Sequence, residues 1–170
     1  QAAAIALGAH DDLLELLRVA QAPLRGQRVD HLLAAAVGRL AHLAGGKLRV
    51  HLNEIDQVLV TGDRDRLKQV LINLVANAVR LAPPGSVVEV RSTAGPQWAE
   101  LSVADAGPGI AAEHLEAVFE RFWRGGDDGA GSGLGLSIVR RVAERHGGSA
   151  VVRPNADSGS TFTLRLPIRT

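Results

Sequence analysis

Apolar side chains recur at helical spacing over residues 5–20, where Leu13, Leu14, Leu17, Val19 and Ala20 line one side until Pro23 and Gly26 interrupt the pattern. A second amphipathic stretch runs from Val29 to about Leu43, with Asp30 placed as its N-cap and Gly45-Gly46 closing it. Alternation over residues 48–52 predicts a strand, and residues 58–60 a short second one. Asp63 opens a longer helix with apolar positions Leu67, Val70, Leu71, Leu74, Ala78 and Leu81, ending near Pro83-Pro84-Gly85. Strands are predicted over 87–92 and 99–103, then a glycine turn and a short helix over 112–118. A glycine-rich stretch, residues 125–135, leads into a helix that stops at Gly147-Gly148, and strands over 150–153 and 161–166 form a C-terminal hairpin. Helices and strands are mixed without the β-α-β alternation that fixes a parallel sheet. The expected fold is an α+β two-layer sandwich, one mixed sheet covered on one face by helices, with a short N-terminal helical remnant.

Composition narrows the function classes. A chain of 170 residues with 46% hydrophobic and 22% charged positions makes one domain with room for a small appendage. No apolar run approaches the roughly 18 residues that span a bilayer, so this piece reads as soluble, and no basic-then-apolar leader marks it for secretion. The first residue is Gln1, as expected of a piece of a longer chain, and an upstream membrane anchor stays open. Without cysteine there is no disulfide, thiolate nucleophile or cysteine-bound metal. A net charge of +1, with no basic run interleaved with aromatics, argues against nucleic-acid binding. Arginine supplies 17 of the 19 basic residues, which compositional bias explains better than function.

Three segments carry candidate chemistry. On the helix from Asp63, Asn73 and Asn77 sit about 40° apart on the helical wheel with Arg80 beside them, at the edge of the apolar arc. Amide oxygens there suit a hard cation already holding phosphate oxygens, as Mg²⁺ prefers; capping of nearby backbone is an equal alternative. Asp105-Ala106-Gly107-Pro108-Gly109-Ile110 follows a strand, so a carboxylate stands at a strand end where it can accept from an exocyclic amine such as that of adenine. Gly107 and Gly109 let backbone come close to a flat ring, although ordinary turn chemistry gives the same letters. No third glycine completes a dinucleotide fingerprint. Gly129 to Val139 is a glycine run opening onto a helix, offering free N–H groups to phosphates; it has no lysine of a P-loop, and a plain linker is the alternative. Between them, Phe119, Phe122 and Trp123 bring together three of the five aromatics, as a lid anchor, a hydrophobic cluster, or both.

In order and spacing, four segments resemble the N, G1, F and G2 boxes of sensor histidine kinases: Leu71-Ile72-Asn73-Leu74-Val75-Ala76-Asn77-Ala78, Asp105-x-Gly-x-Gly-Ile, Phe119-Glu120-Arg121-Phe122-Trp123-Arg124 and Gly131-x-Gly-Leu-Gly-Leu. The tail His146-Gly147-Gly148 and the closing Leu166-Pro167 fit as well, so the resemblance covers roughly residues 28–168. It implies the Bergerat ATP-binding fold shared with type II topoisomerases, Hsp90-type chaperones and mismatch-repair ATPases. It further implies that ATP or ADP is bound with Mg²⁺, that Asp105 contacts the adenine amine and that Asn77 holds the metal. Asn73 and Arg80 would face metal and phosphates, forming the catalytic group together with Asn77, and Gly125 to Gly133 would form the lid. The remaining nucleotide contacts implied are Leu81, Gly107, Gly109, Ile110, Phe119, Arg124, Gly131, Ser132, Gly133, Leu134, Gly135 and Leu136. The chain departs from the pattern at Leu81, where many members carry an aromatic, and in a short acidic lid (Asp127, Asp128) without arginine, which leaves Arg121 or Arg124 to neutralise the γ-phosphate.

Hydrolytic members of this superfamily place a glutamate four residues before the metal-binding asparagine; here Asn73 stands there and cannot take a proton from water. The resemblance thus implies a histidine protein kinase rather than an ATPase or a serine-directed anti-sigma-factor kinase, with a non-catalytic nucleotide-binding regulatory module as the third reading. The expected partners are a phosphoacceptor histidine dimerisation domain, in cis or trans, and a response regulator receiver domain. A homodimer is expected only in the full-length protein, which would work in the cytoplasm and could be anchored in the inner membrane, without direct membrane contact from this piece. Residues 1–25 would be the end of the dimerisation region and 26–170 the catalytic domain. Of the six histidines only His10 is followed by an acid, and no proline comes before Pro23, so no residue here matches the acceptor motif.

Overall fold

The structure, a computed structural model, describes residues 25–41, 49–125 and 132–168. Strand β1 (Arg25–Arg28) leads into helix α1 (Val29–Ala41); β2 (Arg49–Ile55), β3 (Leu59–Gly62), helix α2 (Arg64–Leu81), β4 (Val87–Ala94) and β5 (Trp98–Ala104) follow. Two 3₁₀ turns, Ala112–His114 and Ala117–Phe119, precede helix α3 (Gly135–Arg145), and β6 (Ser149–Pro154) and β7 (Ser160–Pro167) close the chain. The main sheet has the order β2-β4-β5-β7-β6, parallel only between β2 and β4. A separate antiparallel pair, β1 with β3, touches the end of β7 through a Val60–Ile168 bridge.

Alternation on the strands builds the core. Val88 and Val90 of β4, Ala99, Leu101 and Val103 of β5, and Phe162, Leu164 and Leu166 of β7 are buried on one face. Against them lie Leu33 and Ala36 of α1, Leu67, Val70, Leu71, Leu74 and Val75 of α2, and Val139 and Val142 of α3. This is the two-layer arrangement expected of the pattern. Helix α2 is delimited by local chemistry. The Asp63 side chain accepts from the Asp65 and Arg66 N–H groups at 3.0 and 3.1 Å. At the other end the Ala82 N–H reaches Ala78 O, and Pro83 cannot continue the helix.

Some expectations shift. The helix anticipated over 112–118 is two single turns, because so short a segment does not repay nucleation and Val118 and Phe119 are drawn into the core. Helix α1 begins at Val29, so Asp30 is not its N-cap: it lies in the first turn, where its carboxylate pairs with Arg28 at 2.7 Å beside the positive helix end. That guanidinium holds the Asp30 carboxyl below its usual range. Strand β1 has no apolar alternation and exists through its ladder to β3. The helix expected over 5–20, the Gly45-Gly46 stop and residues 126–131 of the lid lie outside the described residues.

Candidate nucleotide-binding site

Helix α2 presents Asn73 and Asn77, both half-buried, on the side that faces the start of α3. Asn73 Nδ2 donates to the Gly135 carbonyl at 3.3 Å, tying the middle of α2 to the first residue of α3. Asn77 Oδ1 accepts from Arg80 Nη2 at 3.0 Å, with Arg80 itself exposed. An amide oxygen has two lone pairs, so one remains for a cation. Neutral oxygen donors of this kind suit Mg²⁺, which keeps few protein ligands beside phosphate and water.

Asp105 stands one residue beyond β5 and is only 4% exposed. Its Oδ1 accepts from the Gly107 N–H at 2.8 Å, while Oδ2 is buried without a partner among the described residues. Burial raises the carboxyl above its ordinary value, and backbone hydrogen bonds from Gly107 and Ser160 oppose that rise. Gly107 is required by space: a Cβ there would lie 2.8 Å from Asp105 Oδ1 and 2.9 Å from the Leu81 carbonyl. The loop therefore rests directly on the last residue of α2, which brings Leu81 to the carboxylate. Gly109 takes a positive φ, and Ile110 packs against the core.

The third wall is the start of α3. Gly135 opens the helix with no side-chain cap on its N-terminal neighbour Leu134, so the first turn keeps free N–H groups and the positive dipole end beside Asn73. Ser132 Oγ accepts from the Leu134 N–H at 3.4 Å, and Leu134 and Leu136 pack against the core. Gly133, with positive φ, accepts from the Phe122 N–H at 2.9 Å, linking the glycine stretch to the aromatic segment. The ring of Phe119 has its place in the core rather than at this polar cluster: it meets Phe162 edge-on at 6.0 Å and lies under the Arg140 guanidinium at 4.7 Å. Arg121 and Arg124 are exposed, and Gly131 is outside the described residues.

A buried acceptor without a partner among the described residues, a glycine loop pressed onto the end of α2, two amides and an uncapped helix N-terminus thus come from three parts of the chain. The family described as "Histidine kinase-, DNA gyrase B-, and HSP90-like ATPase" matches residues 62–170. The chain belongs to this family. As a histidine-kinase-type ATP-binding domain it is similar to the sensor-like histidine kinase SenX3 of Mycobacterium tuberculosis, 40% identical over 144 residues, which cover 82% of this chain and 35% of SenX3. The chain therefore spans about a third of the length of that relative. The mycobacterial sensor histidine kinase MprB shares the structure with a TM-score of 0.78 at 31% identity, covering 86% of this chain and 98% of that one. Full-length ShkA in complex with AMPPNP matches with a TM-score of 0.79 at 27% identity, over 94% of this chain and 35% of that one.

Two polar residues of this kinase-type domain escape a reading by motif. Ser160 opens β7, its carbonyl accepts from the Asp105 N–H at 3.0 Å, and its Oγ is buried with no partner among the described residues. Across from Asp105, it is a second residue whose buried side chain has no partner among the described residues. The signal for it is a break in the inward alternation of β7, where Ser160 shares a face with Phe162, Leu164 and Leu166. Asn155, in the β6–β7 turn, donates to the Asp105 carbonyl at 2.9 Å across 50 positions of sequence, and no local pattern announces it.

Proposed function

We propose that this domain binds Mg-ATP and passes its γ-phosphoryl group to a histidine on a separate dimerisation domain, for onward transfer to a response regulator. Buried Asp105 Oδ2 and Ser160 Oγ are matched to the polar edge of adenine, since buried polar groups are rarely left unpaired. Asn77 Oδ1 would hold Mg²⁺, a hard cation that shields the phosphate oxygens, with Asn73, Arg80 and the start of α3 around it. The complex of ShkA with AMPPNP supports the choice of an adenine nucleotide. On this reading residues 1–25 close the dimerisation region, 26–170 form the catalytic domain, and the domain works in the cytoplasm, where ATP is. Among the described residues no helix is long and apolar enough to cross a membrane.

One observation carries the choice of transfer over hydrolysis. The position four residues before Asn77 holds an amide whose Nδ2 is committed to the Gly135 carbonyl, not a carboxylate that could take a proton from water. Nucleotide held without a base for water is conserved for a stronger nucleophile. The experiment is to follow free phosphate release from Mg-ATP by the chain alone and with a histidine-bearing dimerisation domain supplied. Negligible release alone and nucleotide consumption on adding the domain are expected. Steady release by the chain alone, unchanged by the domain, would assign it to the hydrolytic members.

A further inference from the structure

Asp105 lies just past the last register pair of β5 and β7, Ala104 with Thr161, and its N–H still bonds across to Ser160 O of β7 at 3.0 Å, so the sheet holds one side of its peptide. The turn between β6 and β7 holds the other. Asn155 Nδ2 donates to the Asp105 carbonyl at 2.9 Å and to Ser158 O at 3.2 Å, while Asn155 Oδ1 accepts from Thr161 Oγ1 at 2.6 Å. The Asn155 N–H closes the turn on Gly159 O at 3.0 Å. Gly159 takes a φ of +82° and lies so close that a Cβ would run into the Asp105 carbonyl oxygen. The Asp105 peptide is thus held at its N–H by Ser160 O and at its carbonyl by Asn155. The carboxylate has little freedom left, because Oδ1 is tied to Gly107 and only Oδ2 is available.

We infer that Asn155, itself oriented by Thr161, is a positioning residue that aims the Asp105 carboxylate and so sets the preference for adenine. The inference rests on Asp105 reading the adenine amine. Asn155 bonds to the Asp105 main chain and not to its carboxylate, so an error in the carbonyl's position becomes an error in the aim of Oδ2.

The test compares binding of Mg-ATP with that of Mg-purine riboside triphosphate, which has hydrogen in place of the 6-amino group, by calorimetry on the 170-residue chain. Two variants are used, Asn155→Ala and Asn155→Asp; the second keeps the acceptor for Thr161 and replaces the donor to Asp105 with oxygen. Both should lose about tenfold in ATP affinity, the scale of one hydrogen bond to a charged group, with purine riboside triphosphate held within about twofold. Proportional weakening of both nucleotides, or of neither, overturns the inference. Thr161→Val, which frees the Asn155 amide without altering the turn backbone, should show the same selective loss in smaller measure and serves if the Asn155 variants do not fold. Asp105→Asn is run in parallel. If it too leaves the ratio of the two affinities unchanged, the adenine reading fails and the inference with it. If it shifts the ratio while the Asn155 variants do not, the inference alone fails.

Discussion

Replacing Asp105 with asparagine changes one atom at the point where the base is read. The Gly107 N–H at 2.8 Å fixes which side of the group is the acceptor, so asparagine places its oxygen there and its NH₂ where Oδ2 now stands. The group facing the base becomes a donor. Adenine offers its own amine at that point, and two donors face each other. The lost charged hydrogen bond is worth about 1.5–3 kcal/mol, or roughly ten- to a hundredfold in ATP affinity. Inosine triphosphate carries an oxygen at the same position and gains the partner adenine loses, so the preference between the two nucleotides should narrow or invert. The free protein should respond in the opposite sense. Burial raises the Asp105 carboxyl above its ordinary value. A raised folded pKa favours the folded state below the unfolded value near 3.8 and loses that contribution as pH rises through the folded value. The ionised carboxylate is therefore a burden on the empty site, and Asp105→Asn should melt higher at pH above the folded Asp105 value, with the advantage shrinking as pH falls through it. Each kcal/mol gained is worth roughly 2–4 °C at this size. The same rise means that wild-type selectivity for ATP over purine riboside triphosphate should weaken as pH falls through the Asp105 pKa, above the ordinary carboxylate range. Calorimetry with the three nucleotides and thermal melts across pH 4–8 check both arms. An Asp105→Asn variant that keeps the wild-type preference for ATP over inosine triphosphate refutes the reasoning.

Other residues allow sharper separations of role. Asn77→Ala should weaken nucleotide binding in Mg²⁺ by about tenfold and leave binding in EDTA nearly intact; equal loss in both would make the amide structural. Gly107→Ala puts a Cβ 2.8 Å from Asp105 Oδ1 and 2.9 Å from the Leu81 backbone, so ATP affinity should drop by at least about tenfold, and an unchanged dissociation constant contradicts that steric account. His146 is 5% exposed and uses both nitrogens, accepting from the Asp63 N–H at 3.0 Å through Nε2 and donating to Val142 O at 2.7 Å through Nδ1. It thereby ties the end of α3 to the capped start of α2, and His146→Ala should cost about 2–4 kcal/mol in urea unfolding. A cost under about 0.5 kcal/mol would show that the tie is redundant.

What could be read along the chain is what acts locally. The Asp63 cap, the proline stop after Leu81 and the alternation of β4, β5 and β7 each depend on neighbours within a few residues, and each appears in the structure. Asn73, Asn77 and Asp105 are legible because helix periodicity and a strand end determine where they point. The partners that complete the Asp105 surroundings are not, since Ser160 and Asn155 arrive from a hairpin about fifty residues on, brought there by sheet order rather than by any local pattern. Strand β1 is invisible for a related reason: its four residues offer only backbone to β3. Phe119 shows another limit, because position within a recognisable segment says nothing of which way a ring turns, and here it turns toward Phe162.

On the function proposed above, this domain donates a phosphoryl group to a histidine it does not carry. The direct measurement incubates the chain with γ-labelled Mg-ATP, alone and with a supplied histidine-bearing dimerisation domain, and locates acid-labile phosphate on each polypeptide. Label should appear on the supplied domain, be abolished by Asn77→Ala, and be absent from the chain alone. Label on His10 of the isolated chain, or a supplied domain that stays unlabelled while ATP is bound, would contradict it.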